Sequence, residues 1–245
     1  LLSLDKIYTQ LSYAEKNGLL GELKNVYERL PQTTCEKCAT CCSVPSPAYV
    51  VEFLNMFRYM KNNLQDQIPG ILERCIRFYF LELVDINSRC PFVDPVDNTC
   101  LVYPARPFTC RGYGLFDKGE VPGAGEEMLK LAEKYKNEFD ITLPDEVVNY
   151  KLPRCGKVMV AGGKKIVPEL LQTSIADVAR LESGLFPVEI VDSEYTFVPF
   201  PTHLALTVLG EGARARRHKV MKEYLEQGSS PLLEGYMEKY GKYSL

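Results

Sequence analysis

Eight of the nine cysteines in this chain of 245 residues fall between positions 35 and 110, and four stand in the run Cys35-Glu-Lys-Cys38-Ala-Thr-Cys41-Cys42. Two groups answer it downstream, Cys90-Pro-Phe and Cys100-Leu-Val-Tyr103-Pro-Ala-Arg106-Pro107-Phe-Thr-Cys110-Arg111. Thiolates at this density suit zinc, or iron held with inorganic sulfide. Four prolines in residues 90–111 forbid a long regular element there, so the backbone has to be ordered by something other than a helix or sheet. A bound metal is such a staple.

A disulfide scaffold would also account for many cysteines. Such scaffolds are small and even in cysteine count, whereas this chain is long and its count of nine is odd. Cys41 and Cys42 are neighbours, and a bond between neighbours is strained. The N-terminus, Leu1-Leu-Ser-Leu-Asp-Lys, has no secretory leader pattern. A reduced, cytoplasmic setting is therefore expected. No apolar run reaches the ~20 residues of a membrane span. The formal charge of −3 gives no basic field for nucleic acid. A hydrophobic content of 46% is enough for one sizeable core.

The periodicity predicts helices around the cysteines. Leu4, Ile7, Leu11 and Ala14, then Leu19, Leu23, Val26, Tyr27 and Leu30, repeat at helical spacing over 4–30, with a break at Gly18 or Gly21. Ser46-Pro47 reads as an N-cap followed by proline at the first helical position, opening a helix that runs to about Asn63. Pro69 to Asp85 is apolar on most of its circumference and so buried. Phe92-Val93, Asp94–Asn98 and Cys100–Val102 resemble a short hairpin, and 155–167 a second one turning at Ala161-Gly-Gly163. Further helices are expected over Glu126–Phe139, Pro168–Ser183, Glu211–Gln227 and Leu232–Tyr240, a glycine-rich loop over 112–124, and a strand over Pro187–Phe197. The expectation is a single domain over 1–245, mainly α with small β-hairpins. An irregular cysteine-rich metal-binding core, 35–155, is surrounded by the N-terminal helix 4–30 and a helical C-terminal extension 165–245.

Cys-x2-Cys-x2-Cys lets successive thiolates converge from a tight loop, as in bacterial ferredoxins. Cys42 departs from that pattern, and has to point away from Cys41 unless the backbone turns sharply. It would then serve a second centre or face the core. A zinc ribbon needs two paired knuckles, and here one knuckle is followed by single, spread cysteines.

The order Cys-x2-Cys-x2-Cys-Cys, Cys-Pro-Phe, Cys-x2-Tyr-x2-Arg-Pro-x2-Cys-Arg resembles the YkgJ-type cysteine-cluster family, described as a zinc- or iron-chelating domain, over residues 35 to 155. The resemblance implies as metal ligands Cys35, Cys38, Cys41, Cys42, Cys90, Cys100, Cys110 and Cys155, though Cys155 lacks the proline that follows it in the family. Eight thiolates could hold one four-ligand cluster with spares, or two centres. The family is distantly similar to flagellin lysine N-methylases, which carry a related cluster. Three functions stay open: an iron–sulfur protein, of 4Fe-4S type, with a redox or electron-transfer role and a protein partner; a zinc-stabilised interaction module; and a lysine N-methylase-like enzyme using the cluster with S-adenosylmethionine. The spread cysteines favour iron over zinc. No glycine-rich fingerprint for S-adenosylmethionine is visible, which weighs against the enzyme.

Arg106 and Arg111 flank Cys110 and are read as contacts of the cofactor. Either they offset the negative charge of clustered thiolates, raising a reduction potential, or they pair with surface carboxylates. Cys75, on an apolar helix, has no place in the motif and is read as core. His203, at an expected turn, and His218, in the basic run Arg214–Lys219, are the only histidines, so a metal shell would be all sulfur. The basic run is read as a solvated helix face, with RNA, a phosphate or an acidic partner as the alternative.

Overall fold

Gly18, at φ 73°, takes a left-handed conformation that splits the first helical stretch into α1 (Leu4–Lys16) and α2 (Leu19–Glu28). In this computed structural model the described residues are 3–34, 36–43, 45–115, 124–151, 155–161, 168–186, 197–243 and 245. Among them are eleven α-helices and two small two-stranded antiparallel sheets, so the fold is mainly helical. After α2 come β1 (Thr33–Thr34), β2 (Pro47–Ala48), α3 (Val50–Asn63), α4 (Ile68–Leu81), α5 (Phe108–Gly112), α6 (Ala124–Phe139) and α7 (Asp145–Val148). Then follow β3 (Met159–Val160), α8 (Pro168–Glu182), β4 (Val198–Pro199), α9 (Phe200–Leu209), α10 (Arg217–Gln227) and α11 (Pro231–Tyr240). No helix among the described residues is long and apolar enough to cross a membrane.

Two helices form the centre. α4 buries Ile68, Ile71, Leu72, Cys75, Ile76, Phe78, Tyr79, Phe80 and Leu81, as its nearly continuous apolar circumference requires. Its main neighbour is α9, with α10 and α11 beside it. Every residue of α9 except Val208 is buried. This helix replaces the turn expected around His203. A helix buried all round shows no amphipathic period, and Pro201 is tolerated because the first turn needs no N–H from it. On the other side α3 packs against α1, α2 and α8.

The start of α3 differs from the expectation. Pro47 and Ala48 form β2, which pairs Pro47 with Pro199 and Ala48 with Val198 of β4. Tyr49 is the N-cap instead, and its N–H donates to Glu52 Oε2 at 3.1 Å. A glutamate at N3 reaching back to the cap supplies the acceptor that a serine cap would have supplied elsewhere. The stretch Glu211–Gln227 is a 3₁₀ turn, Glu211–Arg216, before α10 begins.

Both small sheets join distant segments. β1 pairs Thr33 with Val160 and Thr34 with Met159 of β3. The other arm of the hairpin expected at 155–167, with its Gly162-Gly163 turn, lies outside the described residues, as do most of the loop 112–124 and of the strand Pro187–Phe197. The hairpin at 92–102 is present as a bridge between Val93 and Cys100. Asp94 N donates to Thr99 O at 2.8 Å, and Leu101 N to Phe92 O at 2.8 Å.

Candidate metal centre

The cysteine run is wound by backbone that L residues rarely adopt. Lys37 (φ 54°) and Ala39 (φ 55°), on either side of Cys38, are both left-handed. The chain then enters a 3₁₀ turn, Thr40–Cys42, in which Cys42 N donates to Ala39 O at 2.9 Å and Ser43 Oγ to Thr40 O at 2.8 Å. Cys38 is left exposed, its sulfur 3.1 Å from Thr40 Oγ1. The sharp turn is the exception under which Cys42 need not face away from Cys41, and their sulfurs stand 3.7 Å apart. Two thiolates on one tetrahedral metal at about 2.3 Å from it would stand about 3.8 Å apart. The neighbouring pair thus has the spacing of one edge of a four-thiol site.

Separate elements bring in the rest. Cys90 N donates to Cys42 O at 2.8 Å, tying Cys-Pro-Phe to the first run. Pro91 O accepts from Arg74 Nε of α4 at 2.8 Å, and Phe92 stacks on Phe200 of α9 with ring centroids 5.0 Å apart. Cys100 sits on the bridge to Val93. Cys110 lies in α5, whose Thr109 Oγ1 donates to Pro47 O at 2.8 Å. Cys155 arrives with β3. Gly114, at φ 83°, lies so close to that segment that a Cβ there would meet the Val158 side chain, at Cγ2, at 2.7 Å; glycine suits both the left-handed backbone and the contact. One cleft is lined by Cys38, Cys41, Cys110 and Cys155, with Arg106 and Arg111 among its walls. Cys35 lies outside the described residues.

The electrostatics separate the thiols. The shared hydrogen bond with Cys42, helped by the Arg106 guanidinium, lowers Cys41. The same bond, then burial, then Cys90 and Cys100, push Cys42 up. Burial raises Cys90 well above the usual thiol range and Cys110 to about 12. Thr40 holds Cys38 low. One member of the vicinal pair is thus ready to ionise, as metal binding needs. The donor chemistry fits a soft metal. Among the described residues, however, no three His, Cys, Asp or Glu side chains stand in the geometry of a closed metal site.

Arg106 Nε donates to Tyr103 O at 3.2 Å, and its guanidinium lies 3.6 Å over the Tyr103 ring. Arg111 donates to Arg106 O at 2.7 Å and Pro104 O at 2.5 Å, and lies 4.1 Å over the Tyr27 ring. Neither forms an ion pair with a carboxylate among the described residues.

The remaining candidates lie elsewhere. Cys75 is fully buried in α4 as a core residue. His203 is buried, stacked on Phe53 at 5.2 Å, with Nε2–H donating to Ala48 O at 2.9 Å; burial lowers it to about 4. His218 stacks on Phe139 at 4.5 Å. The basic run is interrupted by Arg217, which turns inward to bond Glu82 at 2.8 Å.

Two groups were missed by sequence reasoning. Glu52 is 1% exposed, and Oε1 accepts from Tyr27 Oη at 2.8 Å and Phe108 N at 2.6 Å. Glu182, equally buried, accepts from Val50 N at 3.1 Å and Val51 N at 2.9 Å. A glutamate inside the apolar run Val50-Val-Glu52-Phe-Leu54 was a readable signal for the first. The second depends on a contact between distant helices.

Residues 34–135 match the CxxCxxCC family model, whose description is "Putative zinc- or iron-chelating domain". This segment is a CxxCxxCC domain. The domain holds the motif cysteines from Cys35 to Cys110 and supports metal binding by them; Cys155 lies beyond it, though it lines the same cleft as Cys38. The chain is also 30% identical over 80 residues to an uncharacterized protein of Methanocaldococcus jannaschii. That alignment covers 31% of this chain and 41% of the relative, so the chain spans about two fifths of the relative's length. No solved structure matches the chain.

Proposed function

We propose that the cysteines of this domain hold an iron–sulfur cluster with a redox or electron-transfer role, in a reducing, cytoplasmic setting. The observation that carries the reading is the cleft itself. Three separated parts of the chain deliver Cys38 and Cys41, Cys110, and Cys155 to it, beside two arginines that form no salt bridge among the described residues. A structural zinc is satisfied by four thiolates in a closed site. Here eight thiols are available with Cys35, Cys42, Cys90 and Cys100 counted, and the cleft opens beside exposed Cys38. Guanidinium charge beside clustered thiolates stabilises the more negative, reduced state and so raises a reduction potential, which serves a redox centre. The cluster would supply one-electron chemistry. The chain's own residues would provide its thiolates, shield it with Tyr113, and hold positive charge at Arg106 and Arg111. A redox partner protein would approach at the cleft mouth.

One observation favours zinc as a second reading. The 3.7 Å between the Cys41 and Cys42 sulfurs suits two ligands of a single metal. It also suits one iron of a 2Fe-2S cluster, which takes two thiolates, but not two irons of a 4Fe-4S cluster.

The test is anaerobic purification, a visible spectrum, and assay of iron, sulfide and zinc per chain, for the wild type and for Cys41→Ala and Cys42→Ala. Matched iron and sulfide, lost in both variants, is the expected result. Stoichiometric zinc without colour would replace the first reading by the second. Full metal content in both variants would contradict the ligand assignment.

A further inference from the structure

We propose that Glu52 is a positioning residue of the cysteine centre: its buried carboxylate holds the first turn of α5, and through that turn sets the places of Cys110 and Arg111. The inference rests on reading the cysteines as metal ligands.

α5 has five residues, too few for a helix to persist through its own hydrogen bonds. It follows Arg106-Pro107 and has no side-chain cap. Its first N–H, from Phe108, donates to Glu52 Oε1 at 2.6 Å. The same oxygen accepts from Tyr27 Oη at 2.8 Å, and Oε2 accepts from Tyr49 N at 3.1 Å. One carboxylate therefore joins α2, the start of α3 and the start of α5. Cys110 stands two residues past Phe108. Arg111 is tied in twice, through the α5 backbone and through the Tyr27 ring over which its guanidinium lies at 4.1 Å.

A glutamate buried in an apolar stripe is costly unless its oxygens are satisfied. Here three donors satisfy them, one from the N-cap of α3 and two from α2 and α5. Glutamine cannot reproduce the set, because its amide NH₂ would face either the Tyr49 N–H or the Phe108 N–H and Tyr27 hydroxyl. Glu182 supplies the internal control. It is equally buried and bonds the same end of α3, through Val50 N and Val51 N, but among the described residues it makes no hydrogen bond to α5.

The experiment compares full-length wild type, Glu52→Gln and Glu182→Gln. Far-ultraviolet circular dichroism confirms folding. The rate of Cys110 alkylation by iodoacetamide in metal-free protein is read by peptide mass spectrometry, and cobalt(II) affinity by competition with a chelator. The proposal expects Glu52→Gln to raise the Cys110 rate and weaken cobalt binding, each about tenfold, the scale seen when groups supporting metal ligands are removed. Glu182→Gln should leave both near wild type. Equal Cys110 rates in Glu52→Gln and wild type, or in the two variants, would overturn it. A wild type that takes up no cobalt would count against the metal reading alone, because the alkylation rates still decide the role of Glu52. Should Glu52→Gln not fold, Tyr27→Phe replaces it, removing one donor from Oε1 while keeping the ring under Arg111. A smaller rise at Cys110 is then expected, and no rise overturns the proposal.

Discussion

Around α4 and α9 the chain buries Phe57, Phe80, Ile71, Leu72 and Leu204 to 0% exposure, helix against helix. Between Cys90 and Gly112 it buries two aromatic anchors, Phe92 and Phe108, and the smaller Val93, Val102 and Ala105, and several single hydrogen bonds tie it to the rest. Among them are Cys90 N to Cys42 O, Arg74 Nε to Pro91 O, Leu101 N to Phe92 O, Thr109 to Pro47 O, and Phe108 N to Glu52. The first region is stabilised by apolar area removed from water and would hold its shape without help. The second has little regular structure, and its cysteines stand near one another without closing a site. The contrast teaches that one chain can place its stability and its chemistry in different parts: helices fix the frame, and irregular segments anchored to it carry the reactive groups.

Truncating the core should break the frame and spare the chemistry. Phe57→Ala removes a fully buried ring and should cost about 3–5 kcal/mol. The reading is the urea midpoint, with metal per folded chain unchanged. A parallel loss of metal from the folded fraction would show that the two regions are not separable.

Glu182 sharpens the comparison through pH. Burial raises its carboxyl from 4.5 to about 7. A raised folded-state pKa gives stability that is full below about pH 4.5 and lost as pH rises through about 7. The loss is on the order of 3 kcal/mol at most. Glu52 shifts in the same direction, also by burial. Glu182→Gln should therefore flatten the stability profile between pH 5 and 8 relative to wild type, as measured by urea unfolding. An identical slope in the two proteins would contradict the shift. The smallest effect is expected at Cys75→Ala, about 1 kcal/mol from lost packing, with metal content at the wild-type level. Loss of metal there would move Cys75 from the frame to the centre.

The frame was largely legible in the sequence. Ile7, Leu11 and Ala14 on α1, and the apolar circumference of α4, carry their own helical period, and Gly18 marks its own break. α9 was not legible, because Phe200 to Leu209 is buried on nearly every side and shows no amphipathic period, with Pro199 and Pro201 at its start. The cysteines of the site could be named as ligands from the family the motif resembles, and its arginines from their place beside Cys110. Their arrangement could not: Cys41 and Cys42 meet because Ala39 adopts a left-handed conformation, and Cys155 reaches the cleft because β3 pairs with Thr33 and Thr34. Glu182 bonds Val50 and Val51 from a helix far along the chain, which no local pattern records.

The most direct test of the account is hydrogen exchange on the metal-loaded chain before and after stripping with a chelator under reducing conditions. The account predicts that protection falls in residues 36–43 and 90–115, while α4 and α9 exchange as before. Unchanged exchange in the cysteine segments, or equal loss throughout α4 and α9, would contradict a helical frame that stands by itself and a cysteine region held by metal.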